Sequence, residues 1–281
     1  MNSVDCDFVK SLQERARSRH ARIGIGIQNL DADMIGGLEA ATEYADILLV
    51  GDPCCDCALD YITPEDPATE LVDLLASGEI DGAVRGNVSA SMAMRALSRR
   101  FNIRVRRMAL LELNGWVFFL APVGIDEGET LSDKLNLVMD GAKFLQRMGV
   151  SPAVSVLSGG RVEDVGRNER VDKSLAEGEF VAARAVAAGI NARHRGILIE
   201  SSRGGDLILA PDGISGNLIF RTLMLLCGAE SFGAPVLMDS IFVDSSRARN
   251  NFTGPVMMAS ALVGMKESSD RSDNLNLKKT T

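Results

Sequence analysis

Short aliphatic, β-branched runs alternate with longer amphipathic stretches along most of the chain, and this alternation constrains the fold more than any other feature. Strand, crossover helix and strand in repeated succession build a mainly parallel sheet with helices on both faces, so the expected class is α/β. The strands are expected at 22–27, 46–50, 80–84, 153–157, 196–199, 207–210 and 235–238. Segments 108–113 and 116–121 flank Asn114-Gly115, the strongest short hairpin signal, so one antiparallel ribbon should interrupt the parallel order. The clearest helix spans 130–148, with Leu131, Leu135, Val138, Ala142 and Leu145 at helical spacing. Thr130 and Asp133 form a capping-box pattern at its start, and Gly149 stops it.

Segment 206–247 carries the most chemistry. The strand 207–210 ends at Pro211-Asp212-Gly213, because proline and glycine break regular structure. Ser215, Gly216 or Asn217 then caps a helix whose residues Leu218, Ile219, Thr222, Leu223 and Leu226 share a face, with Gly228 at its end. Amides at such a helix start attract anions, and Gly216 would let a ligand approach the backbone. An anion site is the first expectation.

Two further loops suit an anionic ligand. Arg85-Gly86-Asn87 follows the strand 80–84 and opens a helix, at the carboxyl end where open α/β sheets place ligands. The loop SGGRVEDVGRN follows the strand 153–157. There Gly159 and Gly160 permit close approach, Arg161 and Arg167 offer guanidinium groups, and Glu163 or Asp164 would orient them. Gly24-x-Gly26 is a weak dinucleotide signal, since the third glycine of the fingerprint is missing.

Composition removes several classes. A net charge of -8 and a pI near 5.0 argue against nucleic acid or an anionic membrane as partner. The basic run 15–22 reads as a solvated helix end. Apolar runs fall short of a membrane span, with Arg221 interrupting the best one, and Asp5, Asp7 and Lys10 occupy the place of a signal-peptide core. A cytoplasmic protein is expected. Five cysteines then suggest free thiols, or a redox or metal feature, more than a disulfide framework. Cys54, Cys55 and Cys57 lack an evident fourth ligand, so no metal site is assigned. The only histidines, His20 and His194, stand in no familiar Ser or Cys motif, so a histidine-based triad is not expected.

PDGISGN, the following helix, GAESFG and VDSSR together resemble the phosphate acetyl/butyryltransferase family. LASGEIDGAVRGNVSASMAMRAL is a weaker echo of the same family. More narrowly, RIGIGI, AVRG, SGGRVEDVGRN and APDGISGN are similar to the methanogen family called MtxX or methanogenesis marker protein 4, a methyltransferase-related branch of that superfamily.

The resemblance implies a two-domain fold like phosphate acetyltransferase and isocitrate dehydrogenase. Domain one would hold 1–122 and 238–266 and domain two 123–237, with the polar break at 124–128 marking a crossing and 267–281 a disordered tail. It implies catalytic roles for Ser246 and Arg247, which match the family's Ser-Arg pair. It further implies substrate binding by Arg85, Gly86, Asn87, Gly159, Gly160, Arg161, Asp212, Ser215, Gly216 and Asn217. The family's aspartate, six residues beyond the arginine, is Thr253 here, and a threonine is no general base near neutral pH. The expected function is methyl transfer in tetrahydromethanopterin and coenzyme M one-carbon metabolism. The alternatives are phosphate acyl transfer on an acyl-coenzyme A or acyl phosphate, and a non-catalytic ligand sensor or assembly protein. The cofactor stays unassigned, with coenzyme A, tetrahydromethanopterin and coenzyme M as candidate substrates. A homodimer, a small anionic substrate and a corrinoid or methanogenesis protein partner complete the expectation.

Overall fold

The computed structural model describes residues 3–53, 58–245 and 252–277. The chain runs α1 (Cys6–Arg19), β1 (Ala21–Gly26), α2 (Ala32–Ala41), β2 (Ala45–Val50), β3 (Asp60–Ile62), α3 (Pro67–Ser77), β4 (Gly82–Val84) and α4 (Ala90–Phe101). It continues with β5 (Ala109–Leu113), β6 (Trp116–Ala121), α5 (Leu131–Arg147), β7 (Ala153–Leu157), α6 (Glu169–Ala187), β8 (Asn191–Gly196), β9 (Leu207–Leu209) and α7 (Gly213–Leu225). The last elements are β10 (Glu230–Ser231), β11 (Ala234–Pro235), β12 (Ile241–Asp244) and α8 (Thr253–Leu277).

Two compact units share these elements. The outer unit comprises Lys10–Val105 and Phe232–Thr281, and the inserted unit comprises Arg106–Ser231 with Met1–Val9. The chain crosses at 105/106 and 231/232, whereas the sequence reading put the crossings at 122/123 and 237/238. The hairpin β5–β6 accounts for the first difference, because β6 pairs in parallel with β9 and so belongs to the inserted sheet.

The outer sheet has the order β11-β12-β4-β1-β2-β3, parallel except for β11. Leu71, Val72 and Leu75 of α3, Leu97 of α4, Ile80, Val88 and Phe242 form one buried cluster there. Each such side chain contributes about 1.5–3 kcal/mol through burial. Gly24 and Gly26 lie inside β1, not in a loop. A Cβ on Gly24 would stand 2.6 Å from Ile80 Cδ1, and one on Gly26 would stand 2.7 Å from the Arg85 carbonyl oxygen. These glycines serve packing, which removes the dinucleotide reading.

The expected strand 235–238 survives only at its start, where Pro235 of β11 pairs antiparallel with β12, and the chain then turns, the Met238 amide donating to Val236 O at 2.9 Å. The strand that pairs with β4 is β12 instead. α8 continues to Leu277, into the stretch expected to be an irregular tail. Arg19 grips Glu267 with both arms of its guanidinium, at 2.9 and 2.8 Å, which holds the helix past residue 266. Within the basic run, Arg17 pairs with Glu43 at 2.8 Å and lies over the Tyr44 ring.

The inserted sheet has the order β10-β5-β6-β9-β7-β8. β5 and β6 form the expected hairpin around Asn114-Gly115, and β6, β9, β7 and β8 run parallel. The capping box on α5 is present, with Thr130 Oγ1 accepting from the Asp133 amide at 3.1 Å and Asp133 accepting from the Thr130 amide at 3.2 Å. The buried Asp206 carboxylate accepts from the amides of Val4 at 2.6 Å and Ala153 at 2.7 Å. Burial pushes its pKa up, and the two amides oppose that shift. The expected strand 196–199 lies one segment too late. β8 ends at Gly196, and Ile199–Ser202 is a 3₁₀ turn.

Candidate active site

Parallel strands β7, β8 and β9 deliver their following connections to one side of the inserted unit. These connections enclose a cavity of about 450 Å³. After β7 come Ser158 and Gly159, and α6 adds Arg170, Val171 and Ser174 from its first two turns. After β8 come Ile197 and Ile199. After β9 come Pro211 and Asp212, with Ser215 and Ile219 from α7. Ligand sites in open α/β sheets lie at the carboxyl ends of strands, as this cavity does.

Two helix starts face this space, and both are capped by their own residues. Asn168 Oδ1 accepts from the Val171 amide at 3.0 Å, and Asp212 Oδ1 accepts from the Ser215 amide at 2.7 Å and the Ser215 hydroxyl at 2.9 Å. The helix cap is therefore Asp212, one of the expected binding residues, ahead of the Ser215, Gly216 or Asn217 that the sequence suggested. Arg170 is exposed and makes no ion pair or hydrogen bond among the described residues. A guanidinium so placed suits a carboxylate, sulfonate or phosphate.

The cavity wall contains a hydrogen-bonded chain. Ser158 Oγ lies 2.8 Å from His194 Nε2, and His194 Nδ1 lies 3.0 Å from Glu179 Oε2. No histidine-based triad was expected, because no linear motif joins these residues, yet the fold brings the three side chains into hydrogen-bond contact. The register between β7 and β8 shifts after Val156↔His194, so that Leu157 pairs with Gly196, and Ser158 donates its amide to Gly196 O at 2.8 Å. A bulge of this kind re-aims a side chain.

The loop after β7 is only partly turned toward the cavity. Gly159 lines it and donates its amide to Ser174 Oγ at 2.8 Å. Gly160 packs against α6, where a Cβ would stand 2.7 Å from Val171 Cγ1. Arg161 is exposed, and its amide donates to Asp164 Oδ2 at 2.9 Å. That amide, aided by the Arg167 guanidinium at 2.7 Å, holds the Asp164 carboxyl below its ordinary value.

Gly216 and Asn217 serve the fold. A Cβ on Gly216 would stand 1.9 Å from Pro122 O, and one on Gly213 would stand 2.0 Å from Gly124 O. Asn217 Nδ2 donates to Val123 O at 2.8 Å. The start of α7 is thus locked against residues 122–124, and the close approach that Gly216 permits is to the backbone, not to a ligand.

Arg85, Gly86 and Asn87 belong to the outer unit and are engaged there. Arg85 is 4% exposed, pairs through Nε with Asp244, and donates from Nη1 to Val88 O at 2.8 Å. Gly86 O accepts from the buried Ser245 hydroxyl at 2.8 Å. Asn87 Oδ1 accepts from the Gln28 amide at 2.7 Å, and its Nδ2 donates to Asn29 O. The helix that follows starts at Ala90. Thr253 Oγ1, at the start of α8, donates to Gly37 O at 3.5 Å. Ser246, Arg247, Cys54, Cys55 and Cys57 lie outside the described residues.

Solved phosphotransacylases share this fold of two α/β units. A branched-chain phosphotransacylase from Enterococcus faecalis V583 superposes with a TM-score of 0.64 at 17% identity, over 88% of this chain and 99% of its own. A phosphate butyryltransferase of Clostridium beijerinckii is 21% identical over 65% of this chain and 69% of its own. Much nearer is the "Putative methyltransferase mtx subunit X" of Methanosarcina mazei, 46% identical over 91% of this chain and 95% of its own. The chain belongs to the mtx subunit X family. No family model matches it. Among the described residues no helix is long and apolar enough to cross a membrane.

Proposed function

We propose that the chain is a transferase whose small anionic substrate occupies the cavity of the inserted unit, and that the transferred group is a methyl group. The methyl assignment follows the name carried by the Methanosarcina mazei relative at 46% identity. The observation that carries the substrate class is Arg170, a guanidinium unpaired among the described residues, on the wall of a cavity of about 450 Å³. Coenzyme M presents a sulfonate and a thiol, so the sulfonate would pair with Arg170 while the thiol accepts the methyl group from a tetrahydromethanopterin donor. Ser246 and Arg247 keep the catalytic roles that the family resemblance implies, and the protein works in the cytoplasm of a methanogen as a homodimer, with a corrinoid protein as candidate partner. Calorimetry with coenzyme M tests the binding, and methyl-group transfer from methylated tetrahydromethanopterin tests the chemistry. Binding weakened roughly tenfold or more in Arg170→Ala is expected. Equal binding by the variant would remove Arg170 from the site.

Phosphate acyl transfer is the second reading, favoured by the shared fold of the Enterococcus faecalis phosphotransacylase. Thr253 weighs against it, because its hydroxyl has no accessible protonation change with which to replace an aspartate base. Phosphate-dependent consumption of acetyl- or butyryl-coenzyme A by the purified protein would favour it over methyl transfer.

A further inference from the structure

We propose that Ser158 is a nucleophilic hydroxyl, with His194 as its general base and Glu179 as the residue that positions His194. The substrate class is an aliphatic acyl ester or thioester that also carries an anionic group. This activity goes beyond methyl transfer and does not depend on it.

The hydrogen-bond network sets the proton positions. A carboxylate only accepts, so in the neutral imidazole the hydrogen bond to Glu179 at 3.0 Å is donated by Nδ1–H of His194. Nε2 is left with its lone pair, and the hydroxyl of Ser158 at 2.8 Å donates to it. The nucleophile, its base and the orienting carboxylate are thus in the order that activates a serine. Ser158 is 1% exposed, yet it lines the cavity, so a ligand reaches it from that side. Its base is sheltered, since the His194 side chain is only 9% exposed.

The sequence keeps space for this arrangement. A Cβ on Gly178 would stand 2.7 Å from His194 Nε2, so any larger residue in the middle of α6 would displace the imidazole. A glycine inside a helix costs about 0.5–1 kcal/mol relative to alanine. At Gly178 that cost accompanies room for the ring. The cavity wall then selects the substrate. Leu157, Val171, Ile197 and Ile219 provide an apolar surface for an acyl chain, and Arg170 provides the counter-ion.

In the first step Ser158 Oγ bonds to the acyl carbon and its proton passes to His194 Nε2. The carbon–oxygen or carbon–sulfur bond then breaks, and the leaving alcohol or thiol takes that proton. In the second step water attacks the acyl-serine, its proton passes through His194 to Ser158 Oγ, and the carboxylic acid departs.

An alkyl fluorophosphonate tests the first step with the whole chain, because an activated serine displaces fluoride from phosphorus and keeps the phosphonyl group. The expected result is one adduct per chain, mapped by peptide mass spectrometry to the peptide that contains Ser158. Ser158→Ala should remove the adduct, and His194→Gln should slow labelling by roughly 100-fold or more, the lower end of general-base effects. Glu179→Ala should slow it more than Glu179→Gln, whose amide oxygen still accepts from Nδ1. Absence of label at Ser158 in the folded wild-type protein overturns the proposal and leaves the chain of contacts as a loop clamp, as does an unchanged labelling rate in a folded His194→Gln. Methyl transfer is scored separately with unlabelled wild-type protein, so the two readings fail independently.

Discussion

A methyl group on Gly216 would stand 1.9 Å from the carbonyl oxygen of Pro122. The obstacle is backbone, which cannot rotate aside as a side-chain tip can. Gly216→Ala should therefore destabilise the protein by about 1–3 kcal/mol, as overpacking does. Urea denaturation should show a lower midpoint with an unchanged slope. An alanine variant as stable as the wild type would mean that α7 is not seated on residues 122–124.

Arg85 and Asp244 form a pair that is largely removed from water, with side-chain exposures of 5% and 13%. Removing one partner leaves the other charge buried, at a cost of about 3–5 kcal/mol. Arg85→Ala should thus show its main effect in thermal or denaturant unfolding. Arg85→Lys should recover little, since a single ammonium cannot serve both Asp244 and Val88 O in the same geometry. Unchanged stability with lost ligand binding would return Arg85 to the binding role that its place in the sequence suggested.

Asp66 caps α3, accepting from the Thr69 hydroxyl at 2.7 Å and from the amides of Ala68 and Thr69 at 3.1 and 3.2 Å. The Thr69 hydroxyl, followed by the two amides, holds its carboxyl below the ordinary value. A depressed carboxylate stabilises the fold above its unfolded pKa, and that contribution is lost as pH falls through the folded pKa. Asp66→Ala should cost about 1 kcal/mol at neutral pH. The gap from wild type should narrow as the solution is acidified through the carboxylate range. A gap that widens in acid would contradict the sign.

Arg170 is exposed and unpaired among the described residues, so its removal should leave stability within about 0.5 kcal/mol of wild type. Calorimetric titration with coenzyme M should nevertheless show roughly tenfold or greater weakening in Arg170→Ala, equivalent to about 1.4 kcal/mol. A variant that unfolds early would point to a structural role.

The elements written in local chemistry were legible. Asn114-Gly115 fixed the hairpin, and Thr130 with Asp133 fixed the start of α5, because turn geometry and capping depend on neighbours in sequence. Segment 158–168 was recognised as a loop, but the guanidinium that lines the cavity is Arg170, not the Arg161 that the glycine pattern favoured. Asn168 as a cap offered the signal, since it places Arg170 in the first turn of α6. The pairing of Ser158 with His194 was not legible. It depends on the register between β7 and β8, on an irregularity in that register and on Gly178, three non-local facts. Arg85 misled for the same reason, because Asp244 lies 159 positions away and meets it only through the pairing of β12 with β4.

Leu157 apart, every residue around the cavity lies in a connection or helix that follows a strand, while the strands themselves hold the core. Substrate choice and foldability are therefore carried by different stretches of chain. Randomising 158–159, 170–174 and 197–199 should alter which ligands are accepted while the sheet register stays fixed, which makes this half of the molecule a ready scaffold for directed evolution.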